Sequence, residues 1–246
     1  MRTTGLATLV LVGALGAILV GRAQEAPIRA LVVTGGHDFE REPFFAIFDD
    51  MPGIEYTEAQ HPGAGERYSS EAAEEYDVLV LYDLWQDITE EQKTDLLARI
   101  REGTGVVALH HCIASYEAWP EWRKEVLGGH FYIAAQEEDG VEHSPSTYQH
   151  DVDVNVHIEN PDHPVVEGVE DFVIHDEVYG GYVVSPDVDV LLTTDHPESE
   201  RIIGWTNTYG DGRIVYIECG HDSKAYANES YRRLIAQAIE WVAEGD

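Results

Sequence analysis

The sequence is poor in basic residues. Lys and Arg number 15 against 47 Asp and Glu in 246 residues, and the formal net charge is −32. A surface of that charge repels nucleic acid and anionic membranes, and no basic residues cluster into a phosphate-binding stripe. The acidic residues are scattered along the chain, which is typical of an acidic coat that keeps a protein soluble. We therefore expect neither nucleic acid nor a membrane surface as a partner.

Cysteine is also scarce, since only Cys112 and Cys219 are present. Two cysteines do not form a disulfide scaffold, so a hydrophobic core must stabilise the fold. The sequence leaves open whether the two cysteines form one disulfide, because both follow apolar runs that are candidates for neighbouring strands. The chain also lacks the motifs HExxH, CxxC, GxSxG and the Walker loop. The histidine spacings are therefore not specific for any metal.

The N-terminus has the features of a secretory signal peptide. Arg2 precedes an apolar run from about Leu6 to Val20, and the small residues Gly21 and Ala23 follow. The run is shorter than the roughly 20 residues of a spanning helix, and no basic stop-transfer segment comes after it. We therefore predict a signal peptide over residues 1–23, export to the periplasm or the extracellular space, and no membrane contact after cleavage.

Apolar runs alternate with helical stretches in the first half of the remaining chain, which is the pattern of a parallel sheet covered by helices. After residue 130, strict alternation over 150–158 predicts a half-exposed antiparallel strand. We therefore predict one α/β domain over 28–243, with a mostly parallel central sheet and an antiparallel edge extension. The other predicted elements are strands at 28–34, 54–58, 76–83, 106–109, 187–195, 201–207 and 213–221, and helices at 41–51, 70–75, after the cap Thr89, and at 230–243.

Polar side chains follow several of these strands directly. Ligands of open α/β sheets bind beyond the carboxyl ends of the strands, so such residues are candidates for one common site. A single histidine at a strand end is more often structural, but several strand ends that supply His or Asp to one rim favour a site. The residues are His37, Asp38, Asp83, Trp85, His110, His111, Cys112, Cys219, His221 and Asp222.

The segment VIHDEVYGGY, residues 173–182, adds carboxylates beside aromatic rings, among them Asp176, Glu177 and Tyr179. It is too polar for a core and too rich in aromatics for a featureless loop, although a local turn with solvated acids would also explain it. Rings beside carboxylates suit a sugar, because its apolar faces stack on rings while its hydroxyls bond to carboxylates. We therefore include Tyr179, with Trp85 and Trp119, among the candidate sugar contacts.

Three chemistries could use these residues. A cysteine hydrolase would need the Cys112 thiolate and a nearby histidine as base. A metal site would need neutral imidazoles and carboxylates around one divalent ion, which is a candidate cofactor. Acid–base chemistry on a carbohydrate needs only His and Asp or Glu near the substrate. The metal-ligand candidates among the histidines are His37, His110, His111 and His221.

The chain contains the four blocks LVVTGGHDF, GVVALHHCIASYEAWPEW with LGGHFY, HPVVEGVEDFVIHDEVY and GDGRIVYIECGHD. Together these blocks resemble the ThuA-like family, named for a trehalose-utilisation protein. The resemblance covers about residues 28–243 and implies a flavodoxin-like three-layer sandwich of the class I glutamine amidotransferase-like superfamily. It also implies a role in carbohydrate catabolism, with trehalose-type or 3-keto sugars as the substrate class.

The resemblance further implies which residues carry the chemistry. Amidotransferases of this superfamily have a cysteine on a G-x-C-x-G elbow and a later His-x-Glu, whereas this chain reads ALHHCIAS and GHD. Glutamine hydrolysis is therefore not expected. His110 of the LHH motif stands where the related enzymes have their nucleophile, and the GGH block supports His37. The residues carried over as catalytic are His110, Asp176, Glu177 and His221.

The first hypothesis is thus an exported enzyme that acts on a glycoside or keto-sugar by His/carboxylate acid–base chemistry, with or without a divalent metal. The alternatives are a non-catalytic module that binds a sugar or a partner enzyme, and a Cys112-dependent hydrolase. A small-molecule carbohydrate is the expected partner, and the sequence leaves open whether the chain forms a homo-oligomer. The expected substrate contacts are His37, Asp83, Trp85, His111, Trp119 and Tyr179.

Overall fold

A computed structural model describes residues 26–138 and 140–245, so the predicted signal peptide lies outside the described residues. No helix in these two ranges is both long and apolar enough to span a bilayer. The α-helices are α1 Arg41–Asp49, α2 Glu90–Arg101, α3 Ser223–Tyr226 and α4 Glu229–Ala243, and Trp122–Leu127 forms a π-helix. The strands are β1 Ile28–Gly35, β2 Ile54–Gln60, β3 Val78–Asp83, β4 Gly105–Leu109, β5 Gly129–His130, β6 Gln136–Glu138, β7 Val141–His143, β8 Thr147–Ile158, β9 Phe172–Gly180, β10 Val183–Val184, β11 Asp189–Thr193, β12 Ile202–Tyr209 and β13 Gly212–Ile217.

One nine-stranded mixed sheet organises the fold, with the strand order β2-β1-β3-β4-β13-β12-β11-β8-β9. The first five strands of this order pair in parallel. The pairs from β13 to β9 are all antiparallel. The predicted fold class, a parallel sheet extended by antiparallel strands at one edge, is therefore confirmed.

Two hydrophobic clusters cover the two faces of this sheet. Alternate residues of β1 divide between them, because Val32 belongs to one cluster and Leu31 to the other. Helices α1 and α4 pack on the Val32 side, whereas α2 packs on the Leu31 side. Strands buried on both faces require this arrangement, and it explains why their sequences are continuous apolar runs. The result is a three-layer sandwich.

Helix α2 begins at the predicted cap. The Gln92 backbone N–H donates to the Thr89 hydroxyl at 3.2 Å, and the Thr89 N–H donates to the Gln92 side chain at 3.0 Å. This reciprocal pair satisfies two backbone N–H groups that the first turn otherwise leaves to water. The predicted N-cap at Thr89 is confirmed.

Replacing Thr89 with alanine should lower the free energy of unfolding by about 1 kcal/mol, because the capping oxygen is lost. Urea denaturation followed by circular dichroism measures the difference. The same substitution at Thr94, inside α2, is the matched control, because its hydroxyl bonds only to the Glu90 carbonyl of the same helix. An equal loss in both variants would contradict a capping role for Thr89.

The structure corrects two predicted elements. The helix predicted at 70–75 is wrong, because this region has only a short 3₁₀ turn, Ala73–Glu75, after another at Gly63–Tyr68. Six residues with few apolar side chains offer too little burial to nucleate a helix. The strand predicted at 213–221 ends at Ile217, and the residues after it form a loop. The acidic segment 173–182, in contrast, lies largely in strand β9.

Candidate active site

His110 lies at the sharp turn after β4. Its φ is +52°, a left-handed conformation that a residue with a side chain rarely adopts, and it is 1% exposed. The Nδ1–H of His110 donates to the Glu218 carbonyl at 2.7 Å, and the Tyr216 hydroxyl donates to the His110 carbonyl at 3.0 Å. Such strained positions persist only where surrounding contacts impose them, and they concentrate at functional sites. The turn predicted for His110 is thus present.

The loop after β13 brings His221 to the same place. Gly220 has a φ of +124°, and a Cβ at this position would collide with the Tyr231 hydroxyl. Glycine is therefore required for the chain to turn there. Because β4 and β13 are neighbouring parallel strands, both carboxyl ends lie at one edge of the sheet. The Nε2 atom of His110 lies 3.3 Å from Nδ1 of His221.

Asp176 fixes this loop from strand β9. Its carboxylate accepts N–H bonds from Gly220 at 2.7 Å, from His221 at 2.9 Å and from Glu177 at 2.9 Å. Asp176 is 2% exposed, and burial raises its pKa against the opposing effects of His110 and these N–H donors. Both carboxylate oxygens are engaged by backbone, so the side chain positions the loop. Asp176 was predicted as catalytic, and both of its carboxylate oxygens are occupied by these backbone bonds.

Glu177 lies at the centre of the histidine group. Its Oε2 atom is 3.1 Å from His110 Nε2, 3.1 Å from His221 Nδ1 and 3.1 Å from the Tyr179 hydroxyl. Its Oε1 atom is 3.2 Å from His150 Nδ1. These contacts bring three of the four residues predicted as catalytic into direct contact, with Tyr179 and His150 around them.

A β-bulge explains how His150 reaches this group. Between the pairs Gln149 with Val178 and Val152 with Asp176, two residues of β8 face the single residue Glu177 of β9. One of them, Asp151, has a φ of +56°. Bulges of this kind change the direction of side chains and are frequent next to active sites. His150 was not predicted as a site residue, because the alternating pattern of 150–158 gave no sign of the bulge.

The surroundings of these side chains shift several pKa values. Burial works against the charged form of Glu177, but its close contacts with His110 and His221 outweigh burial and hold the pKa of the carboxyl far below its usual range. The hydrogen bond to Glu177 raises the pKa of His221. Burial lowers the pKa of His37 and, more strongly, that of His111. Perturbed groups gathered in one cleft are typical of a functional site.

A pocket of about 320 Å³ opens beside this group. Its polar end contains His37, His111 and Glu177, and its walls are aromatic and aliphatic. This combination of apolar walls and a few convergent polar groups is that of small-molecule sites, and the volume falls at the small end of their range. The complete lining is His37, Leu84, His111, Ile113, Ala114, Phe131, Ile133, Tyr148, His150, Glu177 and Tyr179.

Three of the lining residues carry information about the ligand. His111 is 4% exposed, and neither of its ring nitrogens has a hydrogen-bond partner among the described residues. At the rim, Tyr148 is 63% exposed and Ile133 is 44% exposed. Sequence reasoning missed Tyr148, Phe131 and Ile133, because they follow no predicted strand of the parallel sheet.

Three predicted substrate contacts lie elsewhere. Asp83 is fully buried, and its Oδ2 atom contacts His61 Nε2 at 3.4 Å and accepts from the Tyr116 hydroxyl at 3.2 Å. The Trp85 ring stacks on His61 with centroids 5.1 Å apart, and neither lines the pocket. The Trp119 ring packs on Trp122 in the core. These placements do not support substrate contact by Asp83, Trp85 and Trp119, whose side chains stabilise the segments beside the pocket.

The two cysteines are free and buried on opposite faces of the sheet. Cys112 belongs to the cluster with α2 and Cys219 to the cluster with α4, so the sheet separates the thiols. Burial raises the pKa of both thiols well above the usual value. A reactive cysteine needs access and a lowered pKa, so this placement argues against the Cys112 hydrolase.

Iodoacetamide should therefore leave Cys112 unmodified in the folded protein, and both cysteines should react after unfolding in guanidinium. Intact mass spectrometry under non-reducing conditions measures the alkylation and would also detect a disulfide. Rapid modification of Cys112 in the native protein, with loss of activity, would instead support the hydrolase.

The fold and the turn after β4 define an α/β protein of the class I glutamine amidotransferase-like type. At this turn the chain has a histidine instead of a cysteine. The chain belongs to the ThuA family, described as trehalose utilisation, whose model matches residues 29–242. Its role is accordingly related to carbohydrates. No curated protein sequence matches the chain significantly.

Solved structures agree with this assignment at the level of the fold. A ThuA-like protein from Parabacteroides merdae is 19% identical with a TM-score of 0.72, over 88% of this chain and 90% of that one. A ThuA-like protein from Bacteroides uniformis is 21% identical with a TM-score of 0.65, over 91% and 94%. PurLQS from Thermotoga maritima is 15% identical with a TM-score of 0.56, over 87% and 99%. At these identities the likeness shows the fold alone.

Proposed function

We propose that the protein is an exported enzyme of carbohydrate breakdown that acts on a glycoside or keto-sugar of the trehalose type. The observation that carries this proposal is the contact of Glu177 with His110 and His221 at the polar end of a pocket with aromatic walls. The family description supports a sugar as the substrate class. The signal-like segment 1–23 supports export.

The pocket suits a sugar in both of its parts. A sugar ring has apolar faces that pack on aromatic side chains, and Phe131, Tyr148 and Tyr179 supply such rings. A hydroxyl or carbonyl group of the same ring at the polar end could bond to the free nitrogens of His111, since these have no partner in the described chain. A buried polar atom that a ligand satisfies is a source of specificity.

The free energy that the geometry of the site costs favours catalysis over binding alone. Glu177 is 6% exposed, and taking a carboxylate out of water costs several kcal/mol, which its contacts with His110 and His221 must offset. The left-handed backbone of His110 adds roughly 1–3 kcal/mol of strain. A module that only binds sugar needs neither, whereas an enzyme must hold reactive groups in a fixed geometry. The non-catalytic module is the second candidate.

A substrate screen of the mature chain separates these candidates. The purified protein is incubated with trehalose, other disaccharides and their 3-keto derivatives, with product detection by chromatography and binding measured by calorimetry. Product from at least one sugar supports the enzyme. Tight binding without product supports the module, and no interaction with any sugar contradicts both. The mass of the exported protein separately tests cleavage after Ala23.

A further inference from the structure

Three atoms of the candidate site form a nearly equilateral triangle. The edges are 3.1 Å between His110 Nε2 and Glu177 Oε2, 3.1 Å between Glu177 Oε2 and His221 Nδ1, and 3.3 Å between the two nitrogens. Ligand atoms at about 2.1 Å from one ion are about 3.0 Å apart in octahedral geometry and about 3.4 Å apart in tetrahedral geometry. All three edges fall within these limits.

The hydrogen bonds of His110 leave its Nε2 atom as a lone-pair donor. The carbonyl oxygen of Glu218 can only accept, so the Nδ1 atom at 2.7 Å from it carries the proton of a neutral His110 ring. Nε2 then faces Oε2 of Glu177, and both atoms are acceptors. The Tyr179 hydroxyl lies 2.8 Å from Nε2 and 3.1 Å from Oε2, but its single proton serves only one of them.

A cation in the triangle would satisfy all three atoms at once. From this geometry we propose that His110, Glu177 and His221 hold a divalent transition-metal ion, of the kind represented by Zn²⁺, at the polar end of the pocket. The inference concerns the site of the proposed function but does not depend on its substrate. Two imidazoles and one carboxylate match known zinc and iron sites, whereas Mg²⁺ and Ca²⁺ prefer oxygen ligands.

The groups around the triangle orient its members as metal sites require. The Glu218 carbonyl fixes the ring of His110, His150 contacts the second oxygen of Glu177, and Asp176 holds the backbone of His221. Outer contacts of this kind set the orientation and tautomer of metal ligands. Glu177 also lines the pocket, so an ion here would border on the ligand space.

The structure also separates the candidate histidines from one another. His37 and His111 lie with ring centroids 4.8 Å apart and outside the triangle. In the part of the chain described by the structure, the triangle is the one group of three or more potential ligands within 4.8 Å of one another. The proposal therefore keeps His110 and His221 as ligands, adds Glu177, and leaves His37 and His111 to the substrate.

The test is metal binding by the mature chain without an affinity tag. After removal of metals with EDTA, titration with zinc chloride in a calorimeter should show one equivalent bound. Cobalt chloride should give an absorption band in the visible range from a site with nitrogen ligands. E177Q and H221A should each weaken zinc binding by more than about 100-fold, since each removes a ligand.

H157A is the matched control, because His157 is a half-exposed histidine with Asp171 at 2.8 Å and Asp195 at 3.9 Å. Its zinc affinity should equal that of the wild-type chain. If H221A fails to fold, the nearly isosteric E177Q carries the test, with its fold checked by circular dichroism.

Two results would overturn the metal site: no zinc bound by the wild-type chain, or equal affinity in wild type, E177Q and H221A. Sugar turnover by the EDTA-treated protein would reject a need for metal and keep the enzyme. One tightly bound ion without turnover of any sugar would keep the metal site and reject the enzyme.

Discussion

Replacement of His221 by alanine is expected to lower sugar turnover by about 100-fold to 10,000-fold, because the side chain contacts Glu177 and His110 at the reactive end of the pocket. The folded state should persist, since the side chain of His221 is 23% exposed and its loop is held through backbone N–H groups. Steady-state kinetics with the best substrate of the screen measure the effect, and thermal unfolding checks the fold.

H110A should show a loss of similar size, and the double variant H110A/H221A should be little worse than either single one. Residues that act as one unit lose their function when any member is removed, so their effects do not add. H157A, which changes a histidine outside the pocket lining, should retain full turnover. Full activity in both H110A and H221A would exclude the proposed site.

Replacement of Asp176 by asparagine is expected to give the largest loss of stability among the variants considered, about 2–4 kcal/mol in the free energy of unfolding. The carboxylate accepts three backbone N–H bonds through two oxygens. Asparagine offers one oxygen, and its amide group would direct N–H donors at backbone N–H groups in a buried site. Urea denaturation measures the loss, which corresponds to a decrease of roughly 5–15 °C in Tm.

D176N should also reduce turnover at temperatures where it stays folded, because the loop that carries His221 loses its anchor. D153N is the matched control: Asp153 is an exposed carboxylate on β8, paired with His175 at 2.7 Å, and its loss should leave stability and turnover nearly unchanged. Equal stability of D176N and D153N would contradict the anchoring role of Asp176.

The site could be predicted in part, because three of its residues come directly after strands. His37, His110 and His221 each come after a strand of the parallel sheet, and parallel strands end at one edge. Trp119, predicted as a substrate contact, does not line the pocket. No feature of the sequence indicated this, because an aromatic residue near a motif has no local mark that separates a core ring from a binding ring. Its partner Trp122 belongs to the same cluster of the core.

Glu177 illustrates what a resemblance can and cannot supply. The resemblance to the ThuA-like family marked the pair Asp176 and Glu177 as functional without separating their roles. The structure separates them, because adjacent strand residues point in different directions. Asp176 engages the backbone of the loop after β13, and Glu177 contacts the histidines. Whether the pair performs chemistry is a prediction that H221A, E177Q and D176N test.

The amino-acid sequence by itself determined the parallel core of the protein and the place of His110, because buried strands are continuous apolar runs and His110 directly follows one of them. It also determined where helix α2 starts, because the capping motif is local. Only the tertiary structure decided that His150 meets Glu177 and that these residues surround a pocket. The physical reason is that the β8–β9 pairing, with its bulge opposite Glu177, joins residues distant in sequence. Cross-strand register of this kind depends on long-range packing, which no local periodicity encodes.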